Sequence, residues 1–362
     1  KRQPEHGPRG GNLPGAGGAA IGSTLSSDKG SPGGPIRRHE SGAKGRDTLT
    51  IVIASLIVPT HGKLPLLRRT LRSLELQAKD TWPFEVVVID DASPDDTPQF
   101  LASYDGPLTL RTVRQPANRG RAAARNAGLR VASGELIIFL DDDMQVVPGF
   151  VRAHIEHHRM AGSRTNAHSH AEVASATTAA AIGNVTNAPE ITDSPIIRYM
   201  STRGAQKIRE GGSLPWRYFS TNNSSVRLAD IEAVGFFDEE FRTYGFEDLE
   251  LGYRLHRRGL TFGFVPAAES LHIHYHDLDD VLNKKELSGG RSLDLFIRKH
   301  PDAWREIPMS RWDNPGANLI LNPVFYALLK PLARFDAGPI SDRIFDYLVL
   351  YRTLRGLKKA RA

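Results

Sequence analysis

The pattern of apolar and polar positions changes character near residue 48. Before it, stretches such as "HGPRGGNLPGAGGAA" and "SSDKGSPGGPIRRHE" are crowded with Gly, Pro, Ser and Arg. With little apolar surface to offset the entropy of ordering, residues 1–47 read as a disordered tail. After it, apolar runs alternate with helical periodicity. "LTIVIASLIVP" is a β-branched run closed by Pro59 and reads as a buried strand, and "KLPLLRRTLRSLELQ" then repeats Leu at helical spacing. "FEVVVIDDAS" is a second buried strand, "DDTPQFLASY" a helix start, "LTLRTVRQ" a third strand, "GRAAARNAGLRVA" an Ala-rich helix and "ELIIFLDDD" a fourth strand. Such alternation predicts an α/β fold, a Rossmann-like, mostly parallel sheet flanked by helices.

Two of these strands end in acids, Asp90-Asp91 and Asp141-Asp142-Asp143. In open α/β sheets ligands sit beyond the carboxyl ends of the strands, so acids there face a crevice rather than the core. Carboxylates gathered at one rim repel each other by a few kcal/mol unless a positive charge intervenes. Mg²⁺ or Mn²⁺, which takes one or two carboxylates with water and phosphate oxygens, answers that need. The plainer alternative is that Asp141–Asp143 cap a turn into the next helix, with Pro148 in its first turn. A second acidic strand end weighs against it.

Farther on, "FRTYGFEDLELGYRLHRRG" opens a helix with Glu247 and Asp248, while Leu249, Leu251 and Leu255 supply its buried face. The helix dipole favours carboxylates at that end, which alone would explain them. Gly245 just ahead permits close backbone approach, however, and an Asp at a helix start facing a cleft can act as a general base. In "ESLHIHYHD", His272, His274 and His276 alternate and share one strand face, as metal ligands or as structural residues. His154, His157, His158, His168 and His170 read as solvated helix and loop residues.

Composition narrows the setting. The 362 residues are 40% apolar and 24% charged, ordinary for a globular protein. The absence of cysteine excludes disulfide frameworks and cysteine-bound metals and fits a reducing, cytoplasmic setting. A net charge of +6 suits nucleic acid, anionic lipid or a phosphate-bearing ligand. The basic residues are spread along the chain without interleaved aromatic patches, which argues against nucleic acid. Neither a membrane span nor a signal peptide is visible. "SLDLFIRKHPDAW" predicts a helix packed on the preceding domain. "NLILNPVFYALLKPLARF" and "DRIFDYLVLYRTLRGLKKARA" mix apolar stretches with Lys and Arg. Such helices bury their apolar faces on the domain or a second subunit, or attach peripherally at the inner face of a membrane.

Taken in order, these motifs resemble the glycosyltransferases of family 2, with the nucleotide-sugar-binding GT-A fold. "IVPTHGKLPLLRRTLRSL" is similar to the opening strand and helix, "VVVIDDASPDDT" to the uridine-side acidic turn, and "NRGRAAARNAGLRVASGELIIFLDDD" to the nucleotide-facing helix and the D-x-D strand. "YFSTNNSSVRLADIEAVGFFDEEFRTYGFEDLELGYRL" resembles the acceptor-side segment of galactosyl- and N-acetylgalactosaminyl-transferring members, bacterial chondroitin polymerase domains among them. In those a metal-binding His follows, and the 24 positions from Asp248 to His272 match that interval. The resemblance implies a GT-A domain over 48–276 and a helical extension over 277–362.

It also implies roles. Pro59 and Thr60 lie beside the nucleotide, Asp91 with Asp90 at the uracil or ribose, Arg125 near the diphosphate, and Asp141 with Asp142 on the ribose side. Asp143 and His272, rather than His274, hold Mn²⁺ or Mg²⁺. Asp248 is the base that deprotonates the acceptor hydroxyl, with inversion, and Glu247 holds the acceptor. Asn223, with Asn222 as the alternative register, lies on the acceptor side. The donor implied is a nucleotide sugar, UDP-linked by preference, and the acceptor a saccharide or lipid-linked saccharide of a surface polysaccharide or glycoconjugate. The rival readings are a retaining transferase, a nucleotidyltransferase, and a noncatalytic carbohydrate- or nucleic-acid-binding protein. Asn184, Asn222 and Asn223 also form N-glycosylation sequons, read as chance.

Overall fold

In the computed structural model, β1 (Ala54–Thr60) and β2 (Phe84–Asp90) are buried at every position. Unalternating apolar runs demand this of strands covered on both faces. The structure describes residues 53–77, 82–164, 179–191, 194–201, 213–274, 277–335 and 338–362; the tail over 1–47 and His168, His170 and His276 lie outside them. The further strands are β3 (Leu110–Arg114), β4 (Leu136–Leu140), β5 (Met144–Val146), β6 (Ala179–Asn187), β7 (Ser213–Leu214), β8 (Asn223–Arg227) and β9 (Thr261–His272). The helices are α1 (Leu64–Glu75), α2 (Thr97–Ala102), α3 (Arg121–Leu129), α4 (Phe150–Arg164), α5 (Pro195–Ser201), α6 (Leu228–Ala233), α7 (Glu247–Arg257), α8 (Leu278–Ser288), α9 (Asp294–Lys299), α10 (Pro301–Glu306), α11 (Pro323–Leu329) and α12 (Pro339–Arg361).

The sheet runs in the order β3-β2-β1-β4-β8-β6-β9-β5, with β7 on β9. β1, β2, β3 and β4 are mutually parallel, whereas β8 enters antiparallel to β4. From β1 the chain goes to β2 on one side and later to β4 on the other, so the switch point lies at the carboxyl ends of β1 and β4. There stand Thr60 and the Asp141–Asp143 triplet. Alternate residues enter two cores. Ile57, Ile89 and Phe139 pack toward α3 and α7, while Leu56, Val88 and Ile138 meet Leu67, Leu71 and Leu74 of α1 and Phe150 and Ile155 of α4. Each fully buried leucine of α1 contributes about 2 kcal/mol of burial.

The α4 histidines depart from expectation. His154 and His158 are buried, not solvated, because their i, i+4 spacing puts both on the face that covers β8. Ser225 Oγ lies 2.9 Å from His154 Nδ1 and 2.9 Å from His158 Nε2, so polar strand residues satisfy the rings. His157 is half-buried against Gly263.

Beyond residue 277, α12 buries Phe345, Leu348, Tyr351, Leu354 and Leu357 and packs along α8. Backbones touch at that crossing: a Cβ on Gly289 would lie 2.0 Å from Thr353 O, and one on Gly356 would lie 2.0 Å from Glu286 O. This apolar face is therefore buried on the chain itself. "SLDLFIRKHPDAW" is not one helix but α9 and α10, broken at His300. None of the described helices is long and apolar enough to cross a membrane.

Candidate active site

The acid triplet is held by cations and a hydroxyl. Thr60 Oγ1 donates to Asp142 Oδ2 at 2.7 Å, tying the end of β1 to the end of β4. Lys63, at the N-cap of α1, puts its ammonium 3.3 Å from Asp142 Oδ1 and 2.9 Å from Asp143 Oδ2. Burial and the neighbouring carboxylates push Asp142 up to about 6. For Asp143 burial acts in the same sense, but Lys63 and His272 overcome it and hold the carboxyl below its ordinary value. Pairing of β5 with β9 sets Met144 opposite His272, which brings His272 Nε2 within 3.8 Å of Asp143 Oδ1. His274 follows the strand end, its ring 6.5 Å from that of His272.

Among the described residues no three ligating side chains converge into a complete cation cage. The donor set nevertheless fits Mn²⁺ or Mg²⁺. One carboxylate and one imidazole face a shared point, the Lys63 ammonium stands in for positive charge there, and such ions leave coordination positions to substrate phosphates.

Arg125 is placed otherwise than expected. Only 1% exposed, it donates from Nη2 to Asp141 Oδ1 at 2.9 Å and from Nη1 to Glu247 Oε1 at 3.1 Å. Two carboxylates share its charge, so it braces the rim of β4 to the start of α7. Asp90 and Asp91 are likewise turned inward. Asp90 accepts from Ser93 N and Arg114, and Asp91 accepts from Gln115 and from the backbone N–H groups of Arg119 and Gly120. All four oxygens have partners within the chain, so this pair fixes the entry to α3. Pro59 is buried in β1.

Gly245 at φ +87° and Phe246 at φ +72° are both left-handed ahead of α7. The phenylalanine is strained there by about 1–2 kcal/mol per residue, and its ring packs 5.9 Å from that of Phe296. This turn aims Glu247 and Asp248. Glu247 is buried with Oε2 unpartnered. Asp248 accepts from Leu249 N at 2.8 Å, and burial together with the charge of Glu247 raises its carboxyl to about 6. That value suits a proton acceptor near neutrality.

Asn223 does not face the cleft. It is 1% exposed, and its amide donates to Asn184 O, Ala268 O and Ser270 Oγ while its oxygen lies 3.0 Å from His154 Nε2. It knits β8 to β6 and β9, which takes it out of the acceptor set.

Sequence reasoning passed over several residues. Lys63 could have been found, since "PTHGK" leaves β1 at the switch point. Arg121 carried a signal too: a cation in the first turn of α3 opposes the helix dipole. It lies 4.8 Å over the Tyr244 ring, in the field of Asp141, Glu247 and Asp143. Lys284 and Lys285 of α8 carried none, because only the tertiary fold brings Lys284 to Tyr244 and Lys285 to Asp248.

Residues 55–164 match the model of glycosyl transferase family 2. The validoxylamine A glucosyltransferase of Streptomyces hygroscopicus subsp. jinggangensis is 33% identical over 276 residues, 72% of this chain and 64% of that protein. The hyaluronan synthase of Pasteurella multocida is 30% identical over 70% of this chain and 28% of its own length. This chain therefore spans less than two thirds of either relative. A mannosyltransferase from Pyrobaculum calidifontis, solved with GDP-Man and Mn²⁺, superposes with a TM-score of 0.53 at 19% identity, over 84% of this chain and 87% of that one, and shows the fold. With its switch-point acids and its parallel sheet, the chain has the GT-A fold, and its residues 55–164 carry a domain of glycosyl transferase family 2.

Proposed function

We propose that this protein transfers a sugar from a nucleotide-diphosphate sugar to a hydroxyl of a saccharide or lipid-linked acceptor, inverting the anomeric centre. The observation that carries the proposal is the arrangement about Arg125. One guanidinium ties the Asp141–Asp143 rim, where a donor diphosphate would sit, to the Glu247-Asp248 turn, where an acceptor would be deprotonated. Support for the donor class comes from the relative of like fold solved with GDP-Man and Mn²⁺. The proposed preference for UDP comes from the acceptor-side resemblance.

Asp143 and His272 would hold the divalent cation, which when bound supplies Lewis-acid stabilisation to the leaving diphosphate. The chain's own groups do the rest. Arg121, Lys63 and Lys284 set positive charge around the acid rim, where the nucleoside diphosphate leaves. Asp248 takes the proton of the acceptor hydroxyl as its oxygen attacks the anomeric carbon from the face opposite the leaving group. Glu247, fixed by Arg125, keeps Oε2 for an acceptor hydroxyl.

The deciding experiment follows hydrolysis of UDP-, GDP- and dTDP-sugars with and without Mn²⁺, wild type beside Asp143→Ala. Metal-dependent release of nucleoside diphosphate from one donor, lost in the variant, is the expected result. No turnover of any donor, with the two proteins indistinguishable, would sink the proposal.

A further inference from the structure

Of the fourteen large apolar side chains exposed among the described residues, nine fall between Trp312 and Ile340. Soluble surfaces scatter such residues singly, so this concentration asks for an occupant. Val324, Phe325 and Leu328 share one face of α11, and Leu332 and Phe335 continue through the 3-10 turn that follows it. Val324 is 67% exposed, Leu328 62% and Phe335 61%.

This exposure does not come from a loose segment. Tyr326 and Leu329 pack inward on the cluster of Phe345 and Leu348, Ala333 is buried there, and the Tyr326 and Tyr351 rings lie 4.8 Å apart. Asn322 caps α11 by accepting from the N–H groups of Val324 and Phe325, and Tyr347 donates to the carbonyls of Ile320 and Asn322. With one side pinned, the other is held outward.

Charge identifies the occupant. From residue 308 to the end the sequence carries nine Lys and Arg against four Asp and no Glu. Five of the nine, Lys330, Arg352, Arg355, Lys359 and Arg361, are paired with Asp279, Glu286, Asp294 and Asp313, while Arg334 is exposed and flanks the stripe beside Phe335. A second copy pairing through this same face about a two-fold axis would bring Arg334 toward its own counterpart, which disfavours association. An anionic bilayer reverses that sign, and its headgroup boundary accepts an apolar stripe rimmed by Lys and Arg. We infer that the stripe from Val324 to Phe335 is a membrane-docking face that lies flat on a phospholipid surface bearing anionic headgroups. It places the chain at a bilayer without crossing it, and it stands apart from the transferase reading because none of its residues lies in the acid cleft.

The test is flotation of the full chain with vesicles of phosphatidylcholine alone or of phosphatidylcholine with phosphatidylglycerol. Wild type is run beside the Phe325→Ser/Leu328→Ser double variant and Arg334→Glu. Wild type should float with the phosphatidylglycerol vesicles, release as salt is raised, and bind weakly to phosphatidylcholine alone. Either variant should bind about tenfold less, with unchanged nucleotide-sugar hydrolysis in free solution. Wild type that stays at the bottom of the gradient with phosphatidylglycerol overturns the inference. So does a wild-type dimer that the double variant converts to monomer, which would assign the face to a second copy.

Discussion

Arg125 meets Glu247 at 3.1 Å although 122 residues separate them in the chain, and the same guanidinium reaches Asp141 at 2.9 Å. A buried cation shared by two carboxylates makes each of the three depend on the others. Arg125→Met leaves Asp141 and Glu247 uncompensated. Breaking a buried network from one side costs about 3–5 kcal/mol, so the variant should melt well below wild type in a calorimetric scan. Arg125→Lys keeps the charge but loses the fork, and should recover only part of the difference. A melting temperature unchanged in Arg125→Met would show that the brace is not formed in solution.

Asp248 is raised to about 6 by burial and by Glu247, so below that pH it is protonated and cannot accept the acceptor's proton. Transfer should therefore lose rate as pH falls through about 6, with kcat/KM dropping tenfold per unit below it. Asp248→Asn should lower kcat by about 10²–10⁴ while donor binding, followed by calorimetry with the intact nucleotide sugar, is retained. Lys285 is the sensitive control. Its positive charge favours the ionised form of Asp248, so Lys285→Met should move the acid limb to higher pH. An acid limb that stays in place in Lys285→Met would separate the lysine from the base.

What could be read from residues alone follows a physical boundary. β1, β2 and β4 were legible because each is a largely apolar run, and the acid end of β4 fell at the switch point once the sheet order was known. β6 was not: "AAAIGNVTN" lacks a β-branched run, and it becomes a strand through pairing with β8 and β9. Polar residues fared worst. Asn223 and His154 look like surface or site groups until their partners, about 40–70 positions away, are in place. Arg125, Asp90 and Asp91 were recognised as part of the site, but whether a charge faces ligand or chain depends on its neighbours in space, which spacing does not encode.

Asp143 and His272 come together only because β5 and β9 pair in the observed register. If they hold the cation, Asp143→Asn should weaken Mn²⁺ binding, read by loss of the free-ion electron paramagnetic resonance signal, by at least tenfold. His272→Ala should do so to a similar extent, and His274→Ala should leave it nearly unchanged. Chelation should stop donor hydrolysis and Mn²⁺ should restore it. An equal loss in His274→Ala would move the ligand to the neighbouring histidine.

The α4 histidines set a different pH limit, one of stability. In the unfolded chain an imidazole titrates near 6.5. In the fold, burial holds His154 down at about 4 and His158 at about 3, with the nearby His157 adding to the effect. Above pH 6.5 the rings are neutral whether folded or not, and their packing contributes in full. Between 6.5 and 4 the unfolded chain binds protons that the folded chain refuses, so stability falls as pH falls. The slope is about 1.4 kcal/mol per pH unit for each ring, or about 2 kcal/mol each by pH 5. Urea denaturation at pH 7 and pH 5 measures this. His158→Phe keeps the volume and removes the titration, while Ser225 retains its bond to His154, so the fall in stability should be about half that of wild type. Equal losses in the two proteins would mean that His158 takes up its proton in the folded state, and that other groups set the acid limit.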